Sequence, residues 1–208
     1  LARASGLLIL LHGRGASAYD ILSLWPQLAQ PGLACVAPEA ESHTWYPYSF
    51  LTPVEHNQPW LASALAKIET LVQLGIDAGL PPDKIAICGF SQGACLATEF
   101  VATHPARYAA LIAFTGGLIG PLDSDVSHVG DLHQTPVFFG SGDPDPHVPW
   151  VRVQQSADIL SAMNGAVTAR RYPGMPHTIN AEEIEIARKI FMAAFPLSGR
   201  GSSPPPSG

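Results

Sequence analysis

An α/β fold is what this sequence predicts, built on a mostly parallel sheet of about six to seven strands with helices on both faces. Short, continuous apolar runs alternate along the chain with longer segments of helical periodicity, which is the pattern of buried strands joined by crossover helices. One of these runs leads into Gly89-Phe90-Ser91-Gln92-Gly93 and from there into Ala94-Cys95-Leu96-Ala97, a strand-to-helix turn with a serine at its tip. A length of 208 residues with 47% apolar content fits one domain with a substantial core.

The first run, Gly6 to Leu11 (GLLILL), is ended by His12-Gly13, as expected of a strand covered on both faces. Leu33 to Ala37, Lys84 to Cys88, Ala109 to Phe114, Pro136 to Phe139 and Val167 to Tyr172 repeat the pattern, each closing on Gly, Pro or a small polar residue. Helical spacing spans Glu55 to Ala78, Gln92 to Thr103, Val151 to Met163 and Ala181 to Phe195. In the first of these, Leu61, Leu65, Ile68, Leu71 and Val72 share one face while Lys67 and Glu69 point elsewhere, so the helix is amphipathic. The intervals between elements leave no room for a large helical cap domain. Residues 1–197 therefore form the expected catalytic domain, and the Gly/Ser/Pro-rich residues 198–208 read as a tail or linker.

Composition excludes several function classes. A net charge of −6, with 11 scattered Lys and Arg, supplies no basic stripe for nucleic acid or anionic lipid. No apolar run approaches the roughly 18 residues of a transmembrane helix. Three cysteines do not make a disulfide framework; Cys35 and Cys88 read as buried hydrophobes of strands, and Cys95 as a packing residue of the helix after Ser91. Leu1-Ala2-Arg3-Ala4 carries no signal-peptide pattern. The expectation leans to the cytoplasm, for a chain whose N-terminal segment has been removed. Nothing in the sequence specifies an oligomeric state.

In a parallel sheet, function gathers where strands end. The flanking glycines of the Ser91 turn suit a strained backbone and close approach to neighbouring elements. The following helix start aims free N–H groups at the place where negative charge would develop. A serine hydroxyl needs a base, normally a histidine fixed by a carboxylate, in the chain order Ser, Asp or Glu, His. After Ser91, the strand Pro136 to Phe139 ends in Gly140-Ser141-Gly142-Asp143-Pro144-Asp145-Pro146-His147-Val148-Pro149, so two aspartates compete. The last strand ends in Pro173-Gly174-Met175-Pro176-His177, which makes His177 the expected base. His147 is the rival, close to both aspartates but ahead of the last strand. His43, His56, His104, His128 and His133 fall in loops, a polar connection or a helix end; no metal pattern is present, and no cofactor is expected.

The loop His12-Gly13-Arg14-Gly15-Ala16-Ser17 follows the first strand, so the backbone N–H groups of Arg14 and Gln92 are the expected oxyanion donors. His12 is read as holding that loop through its ring nitrogens. The Arg14 side chain is either a solvated charge or a contact that orients a polar substrate. Pocket candidates are Trp45 and Tyr46 in an aromatic-rich loop from His43 to Phe50, Leu118 and Ile119 after the fourth strand, and Met175 beside His177.

Four blocks together resemble the phospholipase/carboxylesterase family, the acyl-protein-thioesterase-like serine esterases of the α/β-hydrolase fold: His12-Gly13-Arg14-Gly15, Gly89-Phe90-Ser91-Gln92-Gly93-Ala94, Gly142 to Pro149, and Gly174-Met175-Pro176-His177. The resemblance implies Asp145 as the acid partner of Ser91 and His177, leaves Asp143 as a turn residue capping backbone N–H groups, and supports Arg14 and Gln92 as oxyanion donors. Arg14 stands where thioesterase-like members commonly carry an apolar residue. The expected function is a serine carboxylesterase acting on small, short-chain esters, with acyl thioesterase or lysophospholipase activity as the alternative use of the same site. A non-catalytic binding protein on this scaffold is the remote alternative, set against the presence of all three residues.

Overall fold

A computed structural model describes residue 1 and residues 3–196; the 198–208 tail lies outside the described residues. The elements in chain order are β1 (Gly6–Leu11), α1 (Ala18–Leu22), α2 (Trp25–Leu28), β2 (Leu33–Val36), α3 (Trp60–Asp77), β3 (Ile85–Phe90), α4 (Gln92–Thr103), β4 (Ala110–Phe114), β5 (Pro136–Asp143), α5 (Trp150–Ala162), β6 (Ala166–Pro173) and α6 (Ala181–Ala194). All six strands are parallel, in the order β2-β1-β3-β4-β5-β6. The inner strands β1, β3, β4 and β5 are apolar because side chains on both faces are buried. Leu7, Ile9, Leu11, Ile85, Ile87, Leu111 and Phe139 face a core completed by α3, α4 and α5. Leu8, Leu10, Cys88, Ile112, Phe114 and Phe138 face a second core closed by α1, α2 and α6.

After β1 the chain moves outward to β2, then crosses back to β3, and every later strand is added on the other side. Connections from β1 and β3 therefore leave in opposite directions, opening a crevice at their carboxyl ends. The Gly13-Arg14 loop and Ser91 occupy that crevice. The connection from β4 to β5, residues 115–135, contains no helix, and no large cap covers the site.

Several boundaries differ from the sequence reading. Helix α3 begins at Trp60 rather than Glu55, with Pro59 at its N-cap and a separate 3₁₀ turn at Val54–Asn57, because proline lacks the N–H that a continuous helix would use. Strand β5 runs on through Gly140-Ser141-Gly142-Asp143, paired with Arg170, Arg171, Tyr172 and Pro173 of β6. These glycines are inside a strand because of close neighbours: a Cβ at 140 would lie 2.2 Å from Glu183 Oε1, and one at 142 would lie 2.2 Å from the Met175 carbonyl oxygen. Strand β6 is the sheet edge, half-exposed along its length rather than covered on both faces. Helices α1 and α2 are additional to those expected; α1 carries a signal in its capping box, Ser17 with Asp20. No described helix is long and apolar enough to cross a membrane. All three cysteines are free, and burial raises the thiols of Cys35 and Cys95 to about 12, so both behave as the small hydrophobes expected.

Helix α6 opens with a capping box between Asn180 and Glu183. Glu183 is fully buried, and one of its oxygens has no hydrogen-bond partner. Burial pushes its carboxyl from 4.5 up to about 7, against the opposing effect of the Asn180 N–H. The folded state thus holds this proton more tightly than the unfolded chain does. Its contribution is fully present below about pH 4.5 and is lost as pH rises through 7, an effect of roughly 3 kcal/mol between the limits. In denaturant unfolding at pH 5.5 and pH 8, the wild type is expected to lose stability at the higher pH relative to Glu183→Gln. Parallel behaviour of the two proteins would refute this.

Candidate active site

Ser91 is the N-cap of α4, with φ 55° and ψ −119°. This is a sparsely populated conformation for a residue with a side chain, and it persists only because the surroundings fix it. Its N–H donates to the Phe114 carbonyl at 2.9 Å, and its carbonyl accepts from the Cys95 N–H at 3.0 Å. Packing accounts for both glycines of the motif. A Cβ at 89 would lie 2.3 Å from the Gly93 carbonyl oxygen, and one at 93 would lie 2.3 Å from that of Leu11. The turn consequently presses α4 against β1 and presents the Ser91 hydroxyl at the crevice.

His177 Nε2 is 2.9 Å from Ser91 Oγ, and its Nδ1 is 2.7 Å from Asp145 Oδ2. A carboxylate only accepts, so Nδ1 carries the proton and Nε2 is free to accept from the serine. The other Asp145 oxygen accepts from the N–H groups of His147 and Val148, both at 2.8 Å. The carboxylate is fully buried. Burial, the largest influence, would push the carboxyl upward, but the Val148 and His147 N–H groups together with His177 outweigh it and hold the carboxyl below the usual range. The His177 ring lies between Phe90, with ring centres 5.0 Å apart, and His147, edge-on at 4.9 Å. His147 therefore packs against the histidine that meets Ser91 rather than meeting the serine itself.

Arg14 is the third residue after β1, and Gln92 is the first residue of α4, where no helical acceptor exists for its N–H. Neither backbone N–H donates to another described residue. His12 holds the loop as expected. Its Nδ1 meets the Gly13 carbonyl at 2.8 Å, and its Nε2 accepts from the Ala40 N–H at 3.1 Å. The exposed Arg14 guanidinium has partners the sequence did not signal: it donates to the carbonyls of Pro47 and Tyr48 at 2.7 and 2.6 Å.

A cavity of about 720 Å³ opens at Ser91 and His177, bounded by Gly13, Arg14, Phe90 and Gln92, with Tyr46, Phe50, Leu51, Cys95 and Val148 among its walls. Of the pocket candidates, Tyr46 lines this cavity and four others lie outside its lining. Trp45 is turned inward, its indole N–H donating 2.8 Å to the His12 carbonyl. Leu118 and Ile119 are buried in the core because their segment is fastened down. The Leu118 N–H donates to Ser156 Oγ, the Ile119 N–H to Glu99, and the buried Arg152 donates to the carbonyls of Leu118 and Pro121. The Met175 thioether receives the Asn180 amide at 2.9 Å. Asp143 is likewise engaged otherwise than expected, its carboxylate pairing with Arg171 across the sheet edge. Phe50 is the last residue of the aromatic-rich loop named from the sequence and Leu51 follows it, whereas Val148 had no sequence signal beyond its place near Asp145. Among the described residues, no cluster suited to a metal ion occurs.

Chemically, a hydroxyl bonded to a neutral imidazole, itself oriented by an ionised carboxylate, can lose its proton as it attacks a carbonyl. The profile of the phospholipase/carboxylesterase family matches residues 2–194. A crystal structure of a phospholipase/carboxylesterase from Dyadobacter fermentans superposes with a TM-score of 0.88, at 46% identity over 92% of this chain and 91% of that one. An acyl-protein thioesterase 1 from Cryptococcus neoformans is 25% identical, covering 90% of this chain and 91% of its own. A carboxylesterase structure from Mesorhizobium loti shares the fold, with a TM-score of 0.67 at 23% identity over 89% and 88% of the two chains. With six parallel strands in this order and Ser91 on a strand-to-helix turn, the chain belongs to the phospholipase/carboxylesterase family, carboxylic ester hydrolases of the α/β-hydrolase fold.

Proposed function

We propose that this protein hydrolyses small, short-chain carboxylic esters through an acyl-enzyme on Ser91. The reading rests above all on the continuous hydrogen-bond chain from Ser91 through His177 to Asp145 at the mouth of an open cavity. Ser91 Oγ attacks the ester carbonyl while His177 Nε2 takes its proton, and the negative oxygen settles between the N–H groups of Arg14 and Gln92. The imidazolium, stabilised by Asp145, then protonates the departing alcohol oxygen. Water attacks the acyl group with His177 again as base, releasing the acid and restoring Ser91. In other enzymes, removing one oxyanion donor costs about 10²–10³ in kcat, because the donor meets charge that exists fully only in the transition state.

Preference for short acyl groups is supported by the cavity wall, which is a hydrogen-bonded segment of the domain itself rather than a cap that could swing aside. The expected result in a nitrophenyl ester series is highest kcat/KM at two to four acyl carbons, with a decline beyond. A maximum at long chains would sink the short-chain reading. Thioester hydrolysis is the second reading, favoured by the relative named acyl-protein thioesterase. Matched esters and thioesters of one acyl group separate the two.

A further inference from the structure

We propose that the Arg14 side chain is a positioning residue that sets acyl selectivity, by fixing the cavity wall in register with the oxyanion donors. This inference rests on the acyl-transfer reading above. The segment from His43 to Tyr48 is tied at each residue to the two stretches that carry those donors. The His43 carbonyl accepts from Gly15 N–H at 2.7 Å. Gln92 Oε1 accepts from Thr44 Oγ1 at 3.3 Å and from Trp45 N–H at 3.0 Å, while Gln92 Nε2 donates to the Tyr46 carbonyl at 2.8 Å. Arg14 takes the next two carbonyls, those of Pro47 and Tyr48. The residues proposed to supply the two oxyanion N–H groups thus use their side chains to hold one and the same wall.

The arginine is suited to this task by shape. Its rigid, planar fork reaches two successive carbonyls at once, which a lysine ammonium on a flexible stem does not reproduce. Arg14 makes no ion pair among the described residues; besides the two carbonyls its guanidinium meets only the ring of Tyr46, in the same wall, at 6.0 Å from the centroid. Beyond Tyr48 the wall continues into Phe50 and Leu51, both of which line the cavity. Asn57 secures the far side, accepting from Tyr48 N–H at 2.9 Å and donating to the Ser49 carbonyl at 3.1 Å. Loss of the guanidinium would therefore leave the segment anchored by Gln92 and Asn57 at its two sides and slack between them. A slack wall admits longer acyl groups and holds short ones less well aligned.

The test compares wild type, Arg14→Leu, Arg14→Lys and Lys67→Met on nitrophenyl acetate, butyrate and octanoate. Labelling with a fluorophosphonate and thermal unfolding are followed in parallel. Lys67 serves as control because its ammonium holds the Glu39 carbonyl and lies over the Trp45 ring, outside the cavity lining. In Arg14→Leu, kcat on butyrate is expected to fall roughly tenfold, and the octanoate-to-butyrate ratio of kcat/KM to rise about fivefold. Arg14→Lys should lie between, and Lys67→Met should match wild type in that ratio. A ratio in Arg14→Leu within about twofold of wild type, or an equal shift in Lys67→Met, would overturn the proposal. If Arg14→Leu fails to accumulate as folded protein, the ratio in Arg14→Lys decides by the same criterion. Absence of labelling at Ser91 in wild type would instead defeat the acyl-transfer reading on which the inference stands.

Discussion

Replacing Ser91 by alanine is expected to lower kcat on any hydrolysed ester by about 10⁴- to 10⁶-fold and to abolish fluorophosphonate labelling. Removing Oγ deletes the atom bonded to His177 Nε2 and leaves the rest of the site in place. The cavity, both proposed oxyanion N–H groups and the Ser91 backbone bonds to Phe114 and Cys95 do not involve that oxygen. Substrate binding should therefore change little. The strained backbone is also retained, since alanine has the same Cβ, so the thermal midpoint should stay near the wild-type value. Activity within tenfold of wild type would refute Ser91 as nucleophile, and measured rates with labelling stoichiometry decide it.

Asp145→Asn should cost about 10⁴ in kcat/KM, for a reason written in the hydrogen bonds around it. One carboxylate oxygen accepts from both His147 and Val148 N–H, so an asparagine must place its carbonyl there. Its amide nitrogen, a donor, then faces His177 Nδ1, where Asp145 had accepted at 2.7 Å. The imidazole responds by putting its proton on Nε2, and a protonated Nε2 cannot take the Ser91 proton. Asp145→Ala removes the carboxylate without enforcing the wrong tautomer and is expected to retain more activity than Asp145→Asn at equal folding. Equal losses in both variants would count against the tautomer argument. Because the Asp145 carboxyl is held below its usual range, mild acid leaves it ionised in the wild type.

How far the sequence could be read follows from where each signal originates. Strands announce themselves as short apolar runs, and all six lay within one residue of where β1 to β6 begin, the half-exposed β6 included. Ser91 was legible because its turn needs glycine at 89 and 93, a requirement imposed by backbone atoms nearby in the fold. What failed was information held by distant partners. Gly140-Ser141-Gly142 looks like a loop until β6 supplies the pairing, and Glu183 and the Met175 carbonyl the reasons for the two missing side chains. Trp45, Leu118 and Ile119 have the composition of a binding surface, yet their orientation is fixed by His12, Glu99, Ser156 and Arg152, which lie far from them in sequence. The Arg14 clamp was hidden for the same reason, since its acceptors are backbone carbonyls and backbone carbonyls leave no trace in a sequence.

The stitching of residues 43–48 also bears on how this enzyme can vary. Changes in that segment are coupled to Arg14 and Gln92, so their effects on selectivity and turnover should be strongly non-additive. Drift in substrate range should meet fewer constraints at Phe50, Leu51 and Val148, which line the cavity and whose side chains do not hold the proposed oxyanion residues in place. On the proposed roles of Arg14 and Gln92, selectivity should separate from chemical competence at these three positions and not at the six of the stitched segment, so a library aimed at new substrates should begin with the three.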